Sequence, residues 1–260
     1  MSRLAPALFL VAMLPLAASA DGTIIDVTVT GTVEYNLIGQ PPLNGFTPGA
    51  PASLTFTIDA TSFVNSPNFP TRGYPIDKAS FVLTSGAASI SLQNPFPPGQ
   101  TPYFVLRNND PGVDGFFVAN SVDFPTGVPL NQTHTGGQRF NHTFMVTYGP
   151  TALSSLDVLD ALGTYDYTGL SVYNWTTWHS SPDLVFMEIM FGELTISRRT
   201  ECPGDLSGDS VVNQADLGIL LADFGCAAGV GNCPGDVNGD GSTDQADLGI
   251  LLANFGNRCP

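Results

Sequence analysis

Asp205, Ser207, Asp209, Val211, Asn213 and Asp216 stand at relative positions 1, 3, 5, 7, 9 and 12 of one short stretch, and Asp236, Asn238, Asp240, Ser242, Asp244 and Asp247 repeat the pattern 31 residues later. A hard divalent cation is held by about six to eight oxygens at once, and a tightly wound twelve-residue loop can turn alternate residues inward to supply them. Position 7 lends only its backbone carbonyl, so Val211 and Ser242 serve equally well there. Position 12 must bring a carboxylate from the start of the next helix. Asp, Asn and Gly are also common turn residues. Two loops in register, each followed by Ala-Asp-Leu-Gly-Ile-Leu-Leu-Ala, nevertheless make a pair of metal loops the expected reading.

The spacing is that of EF-hand-type loops, and two Ca2+ sites are expected. Loop 1 has three side-chain carboxylates and places Ser210 where a sharp turn prefers Gly; loop 2 has four carboxylates and Gly241. On ligand charge and turn chemistry, loop 2 is expected to be the tighter site. A short helix should follow each loop. Leu217, Leu220, Leu221 and Phe224 recur at i, i+3, i+4 and i+7, as do Leu248, Leu251, Leu252 and Phe255, predicting two core-facing stripes that pack about a pseudo-twofold axis. Gly225 and Gly256 should stop the helices.

About half a turn away, Ala215, Ile219 and Ala222 share a face, as do Ala246, Ile250 and Ala253. That small apolar stripe is a candidate docking face, although exposed Ile is common and Ala is a good helix former. Residues 202 to 259 resemble a type I dockerin domain, the calcium-dependent module by which secreted bacterial proteins attach to cohesin domains. The resemblance implies partner contacts at Gln214, Ala215, Leu221 and Ala222, with Gln245, Ala246, Leu252 and Ala253 in the second copy. These residues depart from the family's usual hydroxyl pair and basic residues. The implied partner is a cohesin-like protein or another cell-surface component.

All four cysteines lie in this segment, which suits disulfides in an oxidising compartment. Three pairings are possible. A helix from about Gln214 to Phe224 spans roughly 16 Å, separating Cys202 from Cys226, whereas antiparallel helices bring the start of each repeat near the end of the other. Cys202 with Cys259 and Cys226 with Cys233 is therefore the expected pairing. Residues 1–20 carry Arg3, an apolar run from Leu4 to Leu16 and Ala18-Ser19-Ala20, predicting a secretory signal peptide cleaved before Asp21. The apolar run is too short, and too interrupted by Pro6 and Pro15, for a membrane span.

Residues 21–200 form a second predicted domain and contain no cysteine. Short β-branched and aromatic runs separated by Pro, Gly and Asn clusters predict a mainly β, jelly-roll-like antiparallel β-sandwich, followed over 201–260 by the small α-helical dockerin-like domain. Expected strands are Thr23 to Asn36, Ser53 to Ile58, Ala79 to Leu83, Ala88 to Leu92, Tyr103 to Arg107, Gly115 to Ala119, Thr143 to Tyr148 and Leu184 to Ser197. Gly31 and Gly192 are expected at bulges, and Ser154 to Leu162 as one short helix. Val29-Thr-Gly-Thr, Leu54-Thr-Phe-Thr-Ile-Asp59, Asn109-Asp-Pro-Gly-Val-Asp-Gly115 and Gly192-Glu-Leu-Thr-Ile196 resemble exported β-sandwich domains of PEP-CTERM-type bacterial proteins. That resemblance implies fold and export, and no chemistry.

Six cationic side chains face fourteen acidic ones in this domain, a net charge of −8 within a chain total of −15. Such a balance argues against polyanion partners, nucleic acid included. His134, His142 and His179 do not have the spacing of an HExxH-type site, and no nucleophile elbow or phosphate loop occurs. Glu34, Glu188 and Glu193 could supply a glycosidase pair, yet isolated strand carboxylates are ordinarily solvated. Tyr165, Tyr167, Tyr173, Trp175 and Trp178 could form a sugar platform, or simply pack. Asp110 and Asp114 could chelate, but Asn-Asp-Pro-Gly is above all a turn. The expected function is a secreted calcium-binding protein that docks a non-catalytic β domain. The alternative implied by dockerin company is a polysaccharide-degrading glycoside hydrolase or a carbohydrate-binding subunit.

Overall fold

The computed structural model describes residues 23–134, 137–179, 184–199, 202–227 and 233–259. The expected signal peptide lies outside them, as do Thr200 and Glu201. The chain divides into two compact units, Met1–Thr195 and Ile196–Pro260.

Unit 1 is built on a curled antiparallel sheet. Its strands are β1 (Ile24–Asn36), β2 (Pro51–Asp59), β3 (Val64–Asn65), β4 (Thr71–Pro75), β5 (Val82–Ser85), β6 (Ala88–Ser91), β7 (Tyr103–Arg107), β8 (Asp114–Ala119), β9 (Val128–Thr133), β10 (Arg139–Tyr148), β11 (Gly163–Tyr165), β12 (Leu170–His179) and β13 (Val185–Arg198). The main path runs β3-β4-β7-β8-β10-β12-β13-β1-β2-β5-β6, with β11 on β13 and β9 on β10. Alternation sets the buried face. Ile25, Val27 and Val29 on β1 lie opposite Ile58, Phe56 and Leu54 on β2, and all six are buried.

The curl is visible in the aromatic core. Phe56 on β2 meets Phe104 on β7 with ring centroids 5.4 Å apart, although five strands separate β2 from β7 along the sheet. Phe104 stacks on Phe116 at 5.7 Å, and Phe144 packs edge-on against the fully buried Trp175. A smaller cluster of Val105, Phe117 and Ala119, with Tyr103 and Met145 against it, buries the other face of β7 and β8. All six residues of β8 are consequently buried.

Three local expectations are corrected. Gly31 pairs with Ala52 in an unbroken register, so it marks a close approach between strands and no bulge on that side. A Cβ there would sit 2.2 Å from the Met190 carbonyl oxygen and 2.7 Å from the Trp175 ring; one at Gly192 would sit 2.9 Å from the Thr30 carbonyl oxygen. Residues 154–162 form successive turns instead of a helix. Their polar side chains bond their own backbone: Ser155 accepts from the Asp157 N–H and Asp157 from the Leu159 N–H. Such bonds compete with the helical ladder. The segment is then fastened by Tyr74, whose hydroxyl accepts from the Val158 N–H at 3.0 Å and donates to the Leu156 carbonyl at 2.9 Å. Finally, β4, β9 and β12, and the short β3 and β11, were not among the expected strands. Pro and Gly interrupt β4 and β9, and the aromatic run of β12 suggested a binding platform.

Unit 2 holds two helices, α1 (Gln214–Asp223) and α2 (Gln245–Ala253), each opened by a reciprocal capping box. Its core is Val212, Leu220 and Leu251, with Leu206, Leu217, Val237 and Leu248 partly buried against them. The pseudo-twofold relation shows in matched contacts: Gly204 of the first repeat packs on Leu251 of α2, and Gly235 of the second packs on Leu220 of α1. The expected core stripes are narrower than their spacing suggests. Leu221 and Leu252 are each 54% exposed, Phe224 47% and Phe255 45%. Asp216 and Asp247 turn back into their loops and are fully buried, which sets the rotation of each helix so that the residue four later, Leu220 or Leu251, takes the core position. Phe224 is already past helical geometry, with ψ 124°.

Candidate metal centre

Each loop is organised by its first aspartate. Asp205 Oδ1 accepts from the N–H groups of Gly208 and Asp209, and Oδ2 from that of Ser210. Asp236 repeats the scheme with Gly239, Asp240 and Gly241. Asp209 then accepts from Val211, and Asp240 from Ser242. At position 12, Asp216 accepts from Ser207 and Asn213, while Asp247 accepts from Val237, Asn238 and Asp244. Burial opposes ionisation of Asp216, but its backbone hydrogen bonds from Asn213 and Ser207 outweigh it, and the carboxyl titrates below its ordinary value. A carboxylate kept charged in a buried position can accept a cation.

In loop 1, carboxylate oxygens of Asp205, Asp209 and Asp216 lie within 4.8 Å of one another. This all-oxygen donor set fits a hard cation better than a thiolate metal. Asn213 does not point an oxygen freely at the same place, since its Oδ1 caps α1 at the Ala215 N–H and its Nδ2 donates to Asp209 and the Val211 carbonyl. In loop 2 the fourth carboxylate, Asp244, likewise uses Oδ1 to cap α2 at Ala246. Asn238 accepts from Asp240 N–H and donates to the Asp240 carboxylate. Cys202 and Cys259 also lie beside Asp205, and Cys226 and Cys233 beside Asp223. Both pairs are disulfides, with Cα atoms 5.7 and 5.8 Å apart, joined in the crossed pattern that antiparallel helices suggested.

The two loops differ in backbone strain. Ser210 sits at φ +65°, the left-handed region in which Gly241, at φ +92°, is at ease. A side chain there costs about 1–2 kcal/mol. Ser210→Gly is therefore expected to stabilise unit 2 by about 1 kcal/mol after the added flexibility of glycine is set against the relief. Calorimetric melting should show the rise, and an unchanged or lower melting temperature would remove the strain argument.

The loops are held to the opposite repeats by backbone bonds. Val212 N–H donates to Asn257 and its carbonyl accepts from Gly256; Thr243 N–H donates to Cys226 and its carbonyl accepts from Gly225. One contact breaks the symmetry. Asp223 at the end of α1 accepts from the Gly235 N–H at 2.8 Å and from the Thr243 hydroxyl at 2.7 Å, bracing loop 2. The residues at the matching places are Asn254, which bonds back to Ile250 of its own helix, and Val212, which has no hydroxyl. Asp223 was not among the expected site residues. The signal was available in the departures from the 31-residue repeat, Asp223 against Asn254 and Thr243 against Val212.

The expected partner face is mixed. Gln214, Ala215, Ala222, Gln245, Ala246 and Ala253 are exposed, whereas Ile219 and Ile250 are half-buried. The larger exposed apolar groups are Leu221, Phe224, Leu252 and Phe255.

In unit 1 the candidate chemistry resolves into packing. Trp175 is buried and its Nε1 donates to His142 Nε2; Tyr165 packs edge-on against Phe116, and Tyr167 lies at 88° to Tyr173. These rings do not make a coplanar platform. Glu34 and Glu188 both bear on Tyr173, whose pKa is raised by burial first and then by Tyr167 and the two carboxylates. Glu193 is exposed and accepts from Thr195. Asp114 is fully buried and accepts from the Asn109 and Leu153 N–H groups, so it ties two turns together. His134 and His179, 45 residues apart, stack at 4.4 Å. His142 lies separately, fully buried, and burial lowers its pKa to about 3. Among the described residues no helix is long and apolar enough to cross a membrane, and the disulfides are compatible with an extracellular protein. The chain matches no protein-family model, no curated protein and no solved structure.

Proposed function

We propose that this chain is a secreted calcium-binding protein whose C-terminal unit is a dockerin-like docking module and whose N-terminal unit is a non-catalytic cargo domain of jelly-roll-like sandwich form. The observation that carries the reading is the three-carboxylate cluster of Asp205, Asp209 and Asp216, wound by the loop's own N–H groups. The duplicated wiring of loop 2 supports a second site. Asp205, Asp209 and Asp216 would hold one calcium ion, and Asp236, Asp240 and Asp247 the other. Position 7 carbonyls, from Val211 and Ser242, would add oxygens, with Ser207 at position 3 of loop 1 and the second oxygen of Asp244 at position 9 of loop 2, while the Asn213 oxygen stays on its helix cap. The ion supplies positive charge that the clustered carboxylates otherwise lack.

The docking surface is formed by the exposed apolar residues at the end of either helix, Leu221 and Phe224 beside Ala222 on α1 or their counterparts Leu252 and Phe255 beside Ala253 on α2. Four large apolar side chains standing about half exposed on a small unit suit a protein partner of the cohesin kind. The test is surface plasmon resonance of the full chain over a panel of cohesin domains, in calcium and in EDTA. Calcium-dependent binding abolished by Leu221→Asp with Leu252→Asp supports the proposal. Calcium binding in calorimetry without any cohesin response would retain the metal reading and remove the docking one.

A further inference from the structure

Unit 1 carries a groove of about 410 Å3 lined by Lys78, Ser91, Gln93, Asn94 and Phe96. It lies between the turn before β5 and the segment leaving β6, and both walls are fixed. Asp77 Oδ1 accepts from the Ala79 N–H at 3.0 Å, shaping the backbone around Lys78. Opposite, Gln93 N–H donates to the Pro129 carbonyl at 2.9 Å, and Leu92, bridged to Leu130, is buried. The volume is in the range of small-molecule sites.

Three unlike groups converge there. Lys78 is the sole lysine of the chain. Its Nζ stands 5.6 Å from the centre of the Phe96 ring, and among the described residues no carboxylate pairs with it. Phe96 is half-buried, leaving part of its ring for contact. The side-chain amides of Gln93 and Asn94 have no hydrogen-bond partner among the described residues. A cation without a counter-ion, an apolar ring and two open amides match a ligand with one carboxylate, a C–H face and several hydroxyls.

We propose that this groove binds a carboxylated sugar, a single uronate residue on an otherwise neutral glycan. The carboxylate pairs with Lys78, the sugar face rests on Phe96, and the hydroxyls bond Gln93 and Asn94. One lysine in a domain whose sequence carries a net charge of −8 favours one carboxylate over a polyuronate, because the further negative charges of a polyuronate would find no cation in the groove. This site is independent of the calcium loops.

The lone lysine allows a direct test. Reductive methylation of the full chain with 13C-formaldehyde labels Lys78 and the N-terminal amine, and the second signal serves as an internal reference. Methyl β-glucuronide should shift the Lys78 signal saturably and leave the reference unmoved. Methyl β-glucoside, which differs only at the carboxylate, should bind about fivefold more weakly, the factor an exposed ion pair supplies. By native-chain calorimetry, Lys78→Gln should remove this preference, and Phe96→Ala, checked for an unchanged melting temperature, should weaken both sugars. No saturable shift with either sugar would overturn the site, and equal binding of the two would overturn the role of the carboxylate.

Discussion

Chelating calcium is expected to lower the melting temperature of unit 2 by tens of degrees. Each site saturated at a free calcium concentration 100 times its dissociation constant contributes about 2.7 kcal/mol to the folded state. Two such sites give about 5 kcal/mol, and each 1 kcal/mol moves the melting temperature of a domain this size by roughly 4–8 °C. Without the ion, Asp205, Asp209 and Asp216 leave like charges within 4.8 Å of one another, which adds to the loss. Residual structure should survive in EDTA. The Cys202–Cys259 link, across 57 residues, and the Cys226–Cys233 link, across 7, restrict the unfolded chain by about 4 and about 2 kcal/mol. Differential scanning calorimetry with calcium, with EDTA and with EDTA plus a disulfide reductant separates these contributions. A transition that ignores EDTA would remove calcium from the account of this fold.

Acid should destabilise unit 1 through one residue. His142 Nε2 accepts from the indole N–H of Trp175, which can only donate, so the ring proton resides on Nδ1 and is given to the Thr177 hydroxyl 2.8 Å away. A second proton would be buried without solvent and set against the indole N–H. The folded-state pKa is accordingly about 3, against 6.5 for an unburied histidine. Above about pH 6.5 both folded and unfolded chains carry a neutral ring and the group has no pH effect. Between about 6.5 and 3 only the unfolded chain takes up the proton, so stability falls as pH falls, by about 1.4 kcal/mol per unit. From pH 6.5 to 4 the loss reaches roughly 3 kcal/mol. Urea unfolding followed by Trp fluorescence at several pH values should show this slope. His142→Gln, though less stable at neutral pH, should show a slope shallower by one proton; identical slopes would sink the assignment.

The parts of the molecule that were readable from sequence are those where the local rule and the tertiary demand coincide. The loops repeat at a fixed offset, and β1, β2 and β13 alternate over much of their length because one face of each meets the aromatic core, whereas β7, buried on both faces, is legible as a short aromatic and β-branched run. The disulfide pairing followed from helix length together with the antiparallel relation that the repeat implies. Where two demands compete, the local reading failed. Leu221 and Phe224 satisfy helical spacing, but the buried Asp216 fixes which side of α1 faces inward. Residues 154–162 have a helical composition that their Ser and Asp side chains divert into turns. The stacking of His134 on His179 and the bracing of loop 2 by Asp223 depend on contacts that no spacing within a single segment records.

The paired disulfides give unit 2 a particular covalent topology. Cys202–Cys259 makes the repeat region a closed ring, and Cys226–Cys233 pinches that ring at the connection between the repeats. A single cut anywhere between Cys226 and Cys233 would therefore release nothing, because each half stays bonded to the other at both of its ends. The chain enters and leaves the ring beside one bond. Tension entering the ring at Cys202 is shared between the main chain and the sulfur link to Cys259, so both ends of the ring take it up together.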